Sequence, residues 1–582
     1  MSAPQAVQRA DWTARPHWVR LSWGSQALSH AMQCWQDWLQ DQARPRVLHL
    51  VVMLPALPDW QSALDQAAQH WPVLGAVLRH RAQGLLPGFH RLMFEQGQVL
   101  FTLCLGPVEA SLKELDVPVD EALGPTTRLD TRAVTRLCRP GTCWWPQSSA
   151  SESPPPGFMP HGPEAWVYAP HWRPRTRLRG AAMPEALPEG TPPHALVVGA
   201  GLAGAAVAAS LALRGWQVQV LDAGEDLGAG ASGLPAGLTV PHVSPDDNTL
   251  SRLTRAGVRA TLQRADTWLQ DGIHWGHTGV LEHRVEGKRG LPAAWPEAGQ
   301  AWSTPASPSQ LAQAGLPPDT PALWHAMAAW LRPRELVAAA LRQPGVTWRT
   351  GHTVAHLQRD PAGWTALDAQ GQPLSQAPVV VLAAGYAVRA LLSQTAHEGL
   401  LPLNPLRGQI SWGLQDALPA DVREKLPPFP VNGLGSFISG VSAAPLAADD
   451  SPAWFVGSTF ERNTDLASLK TEDHSANLAR LQRLLPGLGS ALDTQVHTAQ
   501  GWAGLRCTLP DRLPVVGLVD NARWPGLAVC TGMGARGVSL SVLCGEVLAA
   551  GLMAEPWPVE TRLAQALAAS RFVRPPTEDS IP

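Results

Sequence analysis

Ala195 to Asp222 reads ALVVGAGLAGAAVAASLALRGWQVQVLD, and it contains, in order, every part of a dinucleotide-binding βαβ unit. Ala195 to Val198 is a short apolar strand and Gly199-x-Gly201-x-x-Gly204 is a turn. An Ala-rich helix then runs to about Arg214, and Gln217 to Leu221 returns as a strand. Each glycine has its own task. Gly199 permits the tight turn, Gly201 lets backbone approach a pyrophosphate at the helix N-terminus, and Gly204 lets the helix pack closely on the sheet. Asp222 ends the second strand, where a carboxylate accepts hydrogen bonds from ribose hydroxyls and repels a 2′-phosphate. That favours FAD or NAD over NADP.

The 582 residues, 45% of them hydrophobic, exceed what one core usually organises, so more than one domain is expected. A net charge of −3 gives no global attraction to nucleic acid, and partners must be argued from local sites. The seven cysteines are scattered and odd in number, which fits reduced thiols in a cytoplasmic protein. Cys138 and Cys143 have no second ligand pair at zinc-binding spacing, so no metal is expected. Neither a signal peptide nor a bilayer-spanning run is evident.

Outward from the opening stretch, residues 1–145 alternate helical and strand-like segments: Ala27–Gln40 has helical period, while Arg46–Leu54 and Gln98–Leu105 read as apolar strands. Residues 146–193 turn rich in Pro, Ser and Gly and read as a connector. Within it, His171 to Arg179 places Arg173, Arg175, Arg177 and Arg179 around Trp172, a cluster able to meet RNA phosphates or to serve as a solvated basic linker. Residues 194–582 read as one large mixed α/β body. Ser232, in the small-residue loop Gly228–Gly233, is a further cofactor contact. Gly351–Gln358 and Trp364–Asp368 are expected to pair as strands, and Val379–Gly385 is an apolar strand whose end, at Gly385, approaches the dinucleotide. Gly532-Met-Gly534-Ala-Arg536-Gly537 precedes a helix over Val538–Leu552, a second glycine-rich helix start where partial positive charge faces a ligand.

From about Trp166 onward the chain resembles the oxidoreductase half of the MnmC family of tRNA wobble-uridine modification proteins, within the glycine oxidase and D-amino-acid oxidase superfamily. The resemblance rests on Ala169-Pro-His-Trp-Arg-Pro174, Gly230-Ala-Ser-Gly-Leu-Pro-Ala-Gly237 with Pro241-His-Val-Ser244, and Leu406-Arg-Gly-Gln409. It continues through Gly501-Trp-Ala-Gly-Leu-Arg506, Asp511-Arg-Leu-Pro-Val-Val-Gly517 and the Gly532–Gly537 motif. Leu234 departs from the family's usual Asn. In the N-terminal part the resemblance is to a methyltransferase domain: Leu85-Leu-Pro-Gly-Phe-His-Arg91 fits, but the expected Gly-rich turn is Leu21-Ser-Trp-Gly24-Ser-Gln-Ala-Leu28 and the second strand ends Val51-Val-Met-Leu-Pro55 without an acid. The region around Asp120–Arg132 is shortened.

The fold implied is a degenerate methyltransferase-like Rossmann domain followed by an FAD-dependent D-amino-acid-oxidase-like fold. The activity implied is oxidative removal of the carboxymethyl group from 5-carboxymethylaminomethyl(-2-thio)uridine at the wobble position, in the tRNA anticodon arm, giving 5-aminomethyluridine and glyoxylate without methyl transfer. The substrate is in effect an N-substituted glycine, and its carboxylate calls for a guanidinium. Arg506 is the expected anchor and Arg536 its helper, while Arg407 has either a structural or a flavin-side place. Two other readings stay open: an FAD-dependent oxidase of free glycine or D-amino acids, and a non-catalytic flavin-containing tRNA-binding protein.

Overall fold

The computed structural model describes Trp12 and residues 15–572, apart from 56–58, 127–128, 147–152, 163–164, 170–191, 286, 288–289, 396–399 and 448–449. The chain divides into two compact units. One comprises Met1–Met183 with Leu213–Trp216 and Ala549–Gln565, and the other comprises Pro184–Ala212, Gln217–Leu548 and Ala566–Pro582. The basic cluster His171–Arg179 lies outside the described residues.

The first unit is built on an eight-stranded sheet. Its strands are β1 (His17–Trp23), β2 (Val47–Leu54), β3 (Gly88–Phe94), β4 (Val99–Leu105), β5 (Val119–Gly124), β6 (Cys138–Pro146), β7 (Phe158–His161) and β8 (Ala165–Tyr168), in the order β3-β4-β2-β1-β5-β6-β8-β7. The five strands from β4 to β6 run parallel. Strand β2, VLHLVVML, is buried at every position, as a central strand covered on both faces must be. The helix α1, Ala27–Gln40, buries Leu28, Ala31, Met32, Trp35 and Trp38, spaced three and four apart on one face. Part of the stretch read as a connector is ordered sheet: β7 and β8 pair with each other and β8 with β6. Phe158, Trp166 and Tyr168 pack against Trp144 in one buried cluster, apolar burial that the surrounding Pro and Ser content concealed.

The second unit carries the βαβ element. Strands β9 (His194–Val198) and β10 (Gln217–Leu221) lie in a six-stranded sheet ordered Val346–Arg349, β10, β9, Val379–Leu382, Leu527–Thr531, Val515–Leu518. All pairs are parallel except the last. In register, Val198 stands beside both Leu221 and Leu382. The carboxyl ends of three strands therefore meet where the strand order reverses, the place where open α/β sheets bind ligands.

The helix Leu202–Leu213 is buried nearly all round, which explains why its Ala-rich sequence has no polar face. The expected strand pair forms as His356–Asp360 against Gly363–Leu367. It starts later than Gly351 because the Gly351 and His352 N–H groups donate instead to the carbonyls of Gly224 and Asp222 at 2.8 Å. A nine-stranded mixed sheet completes the unit, with Asn404–Leu414 antiparallel to Gln500–Thr508 and Leu406 opposite Arg506. One segment, Gly534–Met553, is long and apolar enough by composition to cross a membrane, but 72% of its most apolar window is buried inside the protein.

Candidate active site

One cavity of roughly 1500 Å³ lies over the carboxyl ends of β9, β10 and Val379–Leu382. This exceeds the ~300–1,000 Å³ typical of drug-sized ligands, leaving room for a dinucleotide with a substrate beside it.

The first glycine turn forms one wall. Gly199 has φ +111°, and a Cβ there would stand 2.7 Å from the Ala383 carbonyl oxygen, so the crossing of the turn with the Val379–Leu382 strand end requires glycine. Gly201 borders the cavity and a Cβ there would come 2.9 Å from the Ser232 hydroxyl. That hydroxyl accepts the Leu202 N–H at 2.9 Å, fixing the loop Gly228–Gly233 against the helix start. Gly204 does not border the cavity. It lies beneath, where a Cβ would be 1.8 Å from the Gly199 carbonyl oxygen.

Asp222 borders the cavity. Its carboxylate accepts the N–H groups of Ala200 and Gly224, which aim it across the strand ends. A dinucleotide fits this wall: backbone bare of side chains at the helix start, and a carboxylate facing where a ribose would lie.

The opposite walls come from the strand ends farther along. Gly385, with φ +58°, borders the cavity, and its carbonyl accepts the Thr531 hydroxyl at 2.9 Å. Gly532 and Gly534, at φ +76° and +56°, and Gly537 border it too. Gly537 opens the 17-residue helix Gly537–Met553, so an N-terminal helix dipole faces the cavity. Leu234, in place of the family's Asn, lies in the wall and packs with an apolar cluster around Trp330 and Ile410.

Arg506 and Arg536 border the same cavity. Arg506 projects from Gln500–Thr508, where its Nη2 donates to the Ser458 hydroxyl at 2.7 Å and to the Thr459 carbonyl at 3.3 Å. Burial lowers its pKa to about 10, which leaves it cationic at neutral pH. Among the described residues no carboxylate pairs with it, although a desolvated cation is stable only with an anion or a dense set of acceptors. Arg536 sits in the turn Gly534–Arg536, whose backbone is tied by an N–H bond to the Met533 carbonyl.

Arg407 does not border the cavity. It is fully buried, donating to the Ser468 carbonyl, to Gln409 and to the carboxylates of Asp473 and Glu461 at 2.7 and 3.2 Å. Its place is structural. Gln409 adds bonds to both the N–H and the carbonyl of Lys470 at 2.8 Å, so Leu406-Arg-Gly-Gln409 anchors the segment between Ser458 and Asp473. Gly408 makes room for the candidate anchor, since a Cβ there would lie 1.5 Å from Nη2 of Arg506. Sequence reading missed Ser458, Phe460 and Arg480 and gave Trp502, in the Gly501–Arg506 motif, no site role, yet all four border the cavity. Phe460 and Ser458 sit in irregular backbone without periodicity, and only their closeness to Arg506 reveals them.

A crevice at a strand-order reversal, walled by two glycine-rich helix starts, defines the class of protein. Residues 194–551 match the family described as FAD dependent oxidoreductase. Among solved structures, glycine oxidase from Bacillus cereus shares the fold at TM-score 0.51 and 20% identity, over 66% of this chain and 99% of that one. L-proline dehydrogenase from P. horikoshii does so at TM-score 0.51 and 15% identity, over 66% and 98%.

Similarity to curated proteins extends further. The tRNA 5-methylaminomethyl-2-thiouridine biosynthesis bifunctional protein MnmC of Verminephrobacter eiseniae is 42% identical over 97% of each chain, and that of Delftia acidovorans is 44% identical over 97% of this chain and 93% of that one. The chain belongs to the MnmC family and is an oxidoreductase that uses FAD.

Proposed function

We propose that this chain removes the carboxymethyl group from 5-carboxymethylaminomethyl(-2-thio)uridine at the tRNA wobble position, releasing glyoxylate and leaving 5-aminomethyluridine. The observation that carries the reading is Arg506: a desolvated guanidinium inside the cofactor cavity, with no carboxylate partner among the described residues. A guanidinium binds a carboxylate in a planar, bidentate fashion, so it fixes one end of an N-substituted glycine. Bound FAD supplies the hydride acceptor. Gly199, Gly201, Asp222 and Ser232 would hold it along one wall, with Gly385, Gly532, Gly534 and Gly537 along the other, while Gly204 keeps the helix close enough for that wall to form. Arg536 assists at the carboxylate. What the protein contributes is binding, orientation and exclusion of water.

We further propose that residues 1–145 carry no methyl transfer and that 146–193 joins them to the oxidoreductase part, 194–582. Parallel β1 has β2 on one side and β5 on the other, so a ligand crevice would open at the carboxyl end of β1. There the Trp23 side chain is 2% exposed, lies where a Cβ on Gly124 would be 2.3 Å away, and donates from Nε1 to the Pro125 carbonyl at 2.9 Å. Trp144 packs edge-on to it at 5.7 Å. On this reading the Trp23 indole stands in the crevice where an adenosyl ligand would have to sit. Calorimetry with S-adenosylmethionine is expected to show no binding, and saturable heat at micromolar ligand would refute this part.

The main reading is tested by incubating the holoenzyme with wobble-modified tRNA and, separately, with free glycine and N-methylglycine, assaying glyoxylate. Glyoxylate from the tRNA is expected. Turnover of the free amines alone would select the small-amine oxidase instead, and no bleaching of the flavin by any substrate would select a non-catalytic RNA-binding protein.

A further inference from the structure

Phe460 is an unusual surface residue. Its ring is 49% exposed yet borders the cofactor cavity. Two guanidinium carbons lie over it, that of Arg506 at 4.7 Å from the ring centroid and that of Arg480, from the helix Glu472–Leu484, at 5.4 Å. Arg480 borders the cavity as well, and among the described residues no carboxylate pairs with it. The segment bearing Phe460 is not loose, because Arg407 and Gln409 tie it at Glu461, Ser468 and Lys470. The two guanidinium groups hold the ring in place by cation–π contact while about half of its surface remains open at the cavity.

We propose that Phe460 is the platform on which the substrate's pyrimidine ring stacks, and that Arg480 meets a phosphate of the same strand. The inference rests on the tRNA reading above and deepens it. In that substrate a carboxylate and a uracil ring are joined by a short arm of single bonds. With the carboxylate on Arg506, the base lies within reach of the aromatic ring that Arg506 itself touches. A base stacked on an aromatic side chain, with a guanidinium alongside for the backbone, is how single-stranded nucleotides are commonly gripped. Free glycine and N-methylglycine have no flat face to use such a platform, so Phe460 and Arg480 set specificity for a nucleotide-borne glycine.

The test uses the full-length holoenzyme and a fluorescent anticodon stem-loop carrying the modified uridine, with binding read by anisotropy and flavin absorbance monitored to confirm an intact cofactor site. Phe460→Leu, which keeps apolar volume but removes the π face, is expected to weaken binding about tenfold, the ordinary worth of one base–aromatic stack. Phe460→Trp is expected to bind at least as well as the parent. Arg480→Gln is expected to flatten the dependence of log Kd on log salt by roughly one ion. Binding by Phe460→Leu within twofold of the parent, or equal loss in the Leu and Trp variants, would overturn the platform; an unchanged salt slope would overturn the role of Arg480. If the parent binds the stem-loop but releases no glyoxylate, the activity reading fails while the platform is still judged by these ratios.

Discussion

At the scale of single residues, Gly408 and Arg506 form one device. Only hydrogen fits at position 408, because a methyl would stand 1.5 Å from Nη2 of Arg506. Gly408→Ala is therefore expected to push the guanidinium out of place without touching the cradle, raising KM for the carboxylate substrate about tenfold or more while bound FAD stays stoichiometric. Removing the cation altogether goes further. Arg506→Ala is expected to lose at least about a hundredfold in kcat/KM, the order of one charge-assisted bidentate contact made in a desolvated site, and to remain yellow. Loss of flavin in parallel with activity, measured by absorbance after gel filtration, would place Arg506 in the structural framework instead.

At the scale of elements, the segment Ser458–Asp473 depends on a buried charge. Arg407 has no exposed side-chain surface and spends its donors on one carbonyl, one amide and two carboxylates. Arg407→Met keeps the volume but leaves Asp473, only 12% exposed, and the Ser468 carbonyl without their donor. The cost is expected to be about 3 kcal/mol, as for breaking one side of a buried pair. Limited proteolysis should then cut within 460–470 under conditions that spare the parent, and equal resistance of the two proteins would argue against the anchoring role.

The LRGQ motif was visible in the sequence, but its purpose was not, because its partners, among them Thr459, Glu461, Ser468 and Asp473, lie some 50 to 66 positions away. The contrast with Ala195–Asp222 is instructive. There strand, turn, helix and returning strand are local, Gly204 answers to the Gly199 carbonyl five positions off and Gly199 to the end of the adjoining strand, and only Gly201, set against Ser232, depends on a more distant loop. The second wall, Gly532–Gly537, was legible for the same reason. Phe460 and Arg480 were not, since their meaning arises only from folding onto Arg506. The strands Phe158–His161 and Ala165–Tyr168 were hidden by composition, because three aromatic anchors suffice for order in a stretch that otherwise reads as a connector.

At the scale of the whole molecule, the stability of the first unit is linked to pH through a buried charge cluster. Glu555 and His49 have no exposed side-chain surface, with His49 Nε2 at 3.3 Å from a Glu555 carboxylate oxygen that also accepts Arg214 Nε at 2.6 Å. Burial lowers the His49 pKa to about 4, outweighing the attraction of Glu555. Burial alone would raise the Glu555 pKa, but Arg214 and His49 hold it well below the usual carboxylate range. The folded unit thus keeps a neutral imidazole beside an ionised carboxylate.

In the unfolded chain His49 titrates near the ordinary imidazole value of about 6.5. Between that pH and about 4 the unfolded state binds a proton that the folded state refuses, so stability is full above pH 6.5 and falls as pH drops. The loss from this one group approaches roughly 3 kcal/mol at pH 4. Glu555 adds a further loss of the same sign at lower pH, once the unfolded carboxylate begins to protonate. His17, also lowered by burial, steepens the upper part of the window. Urea midpoints of the parent are expected to be level from pH 8 to 7 and to decline steadily from 6.5 to 4.5. Replacing the imidazole with a group that does not titrate, His49→Gln, is expected to reduce that slope by close to one proton while leaving the slope due to other histidines intact. Parallel curves for the two proteins would mean that His49 binds protons equally in the folded and unfolded states and would refute the neutral buried imidazole.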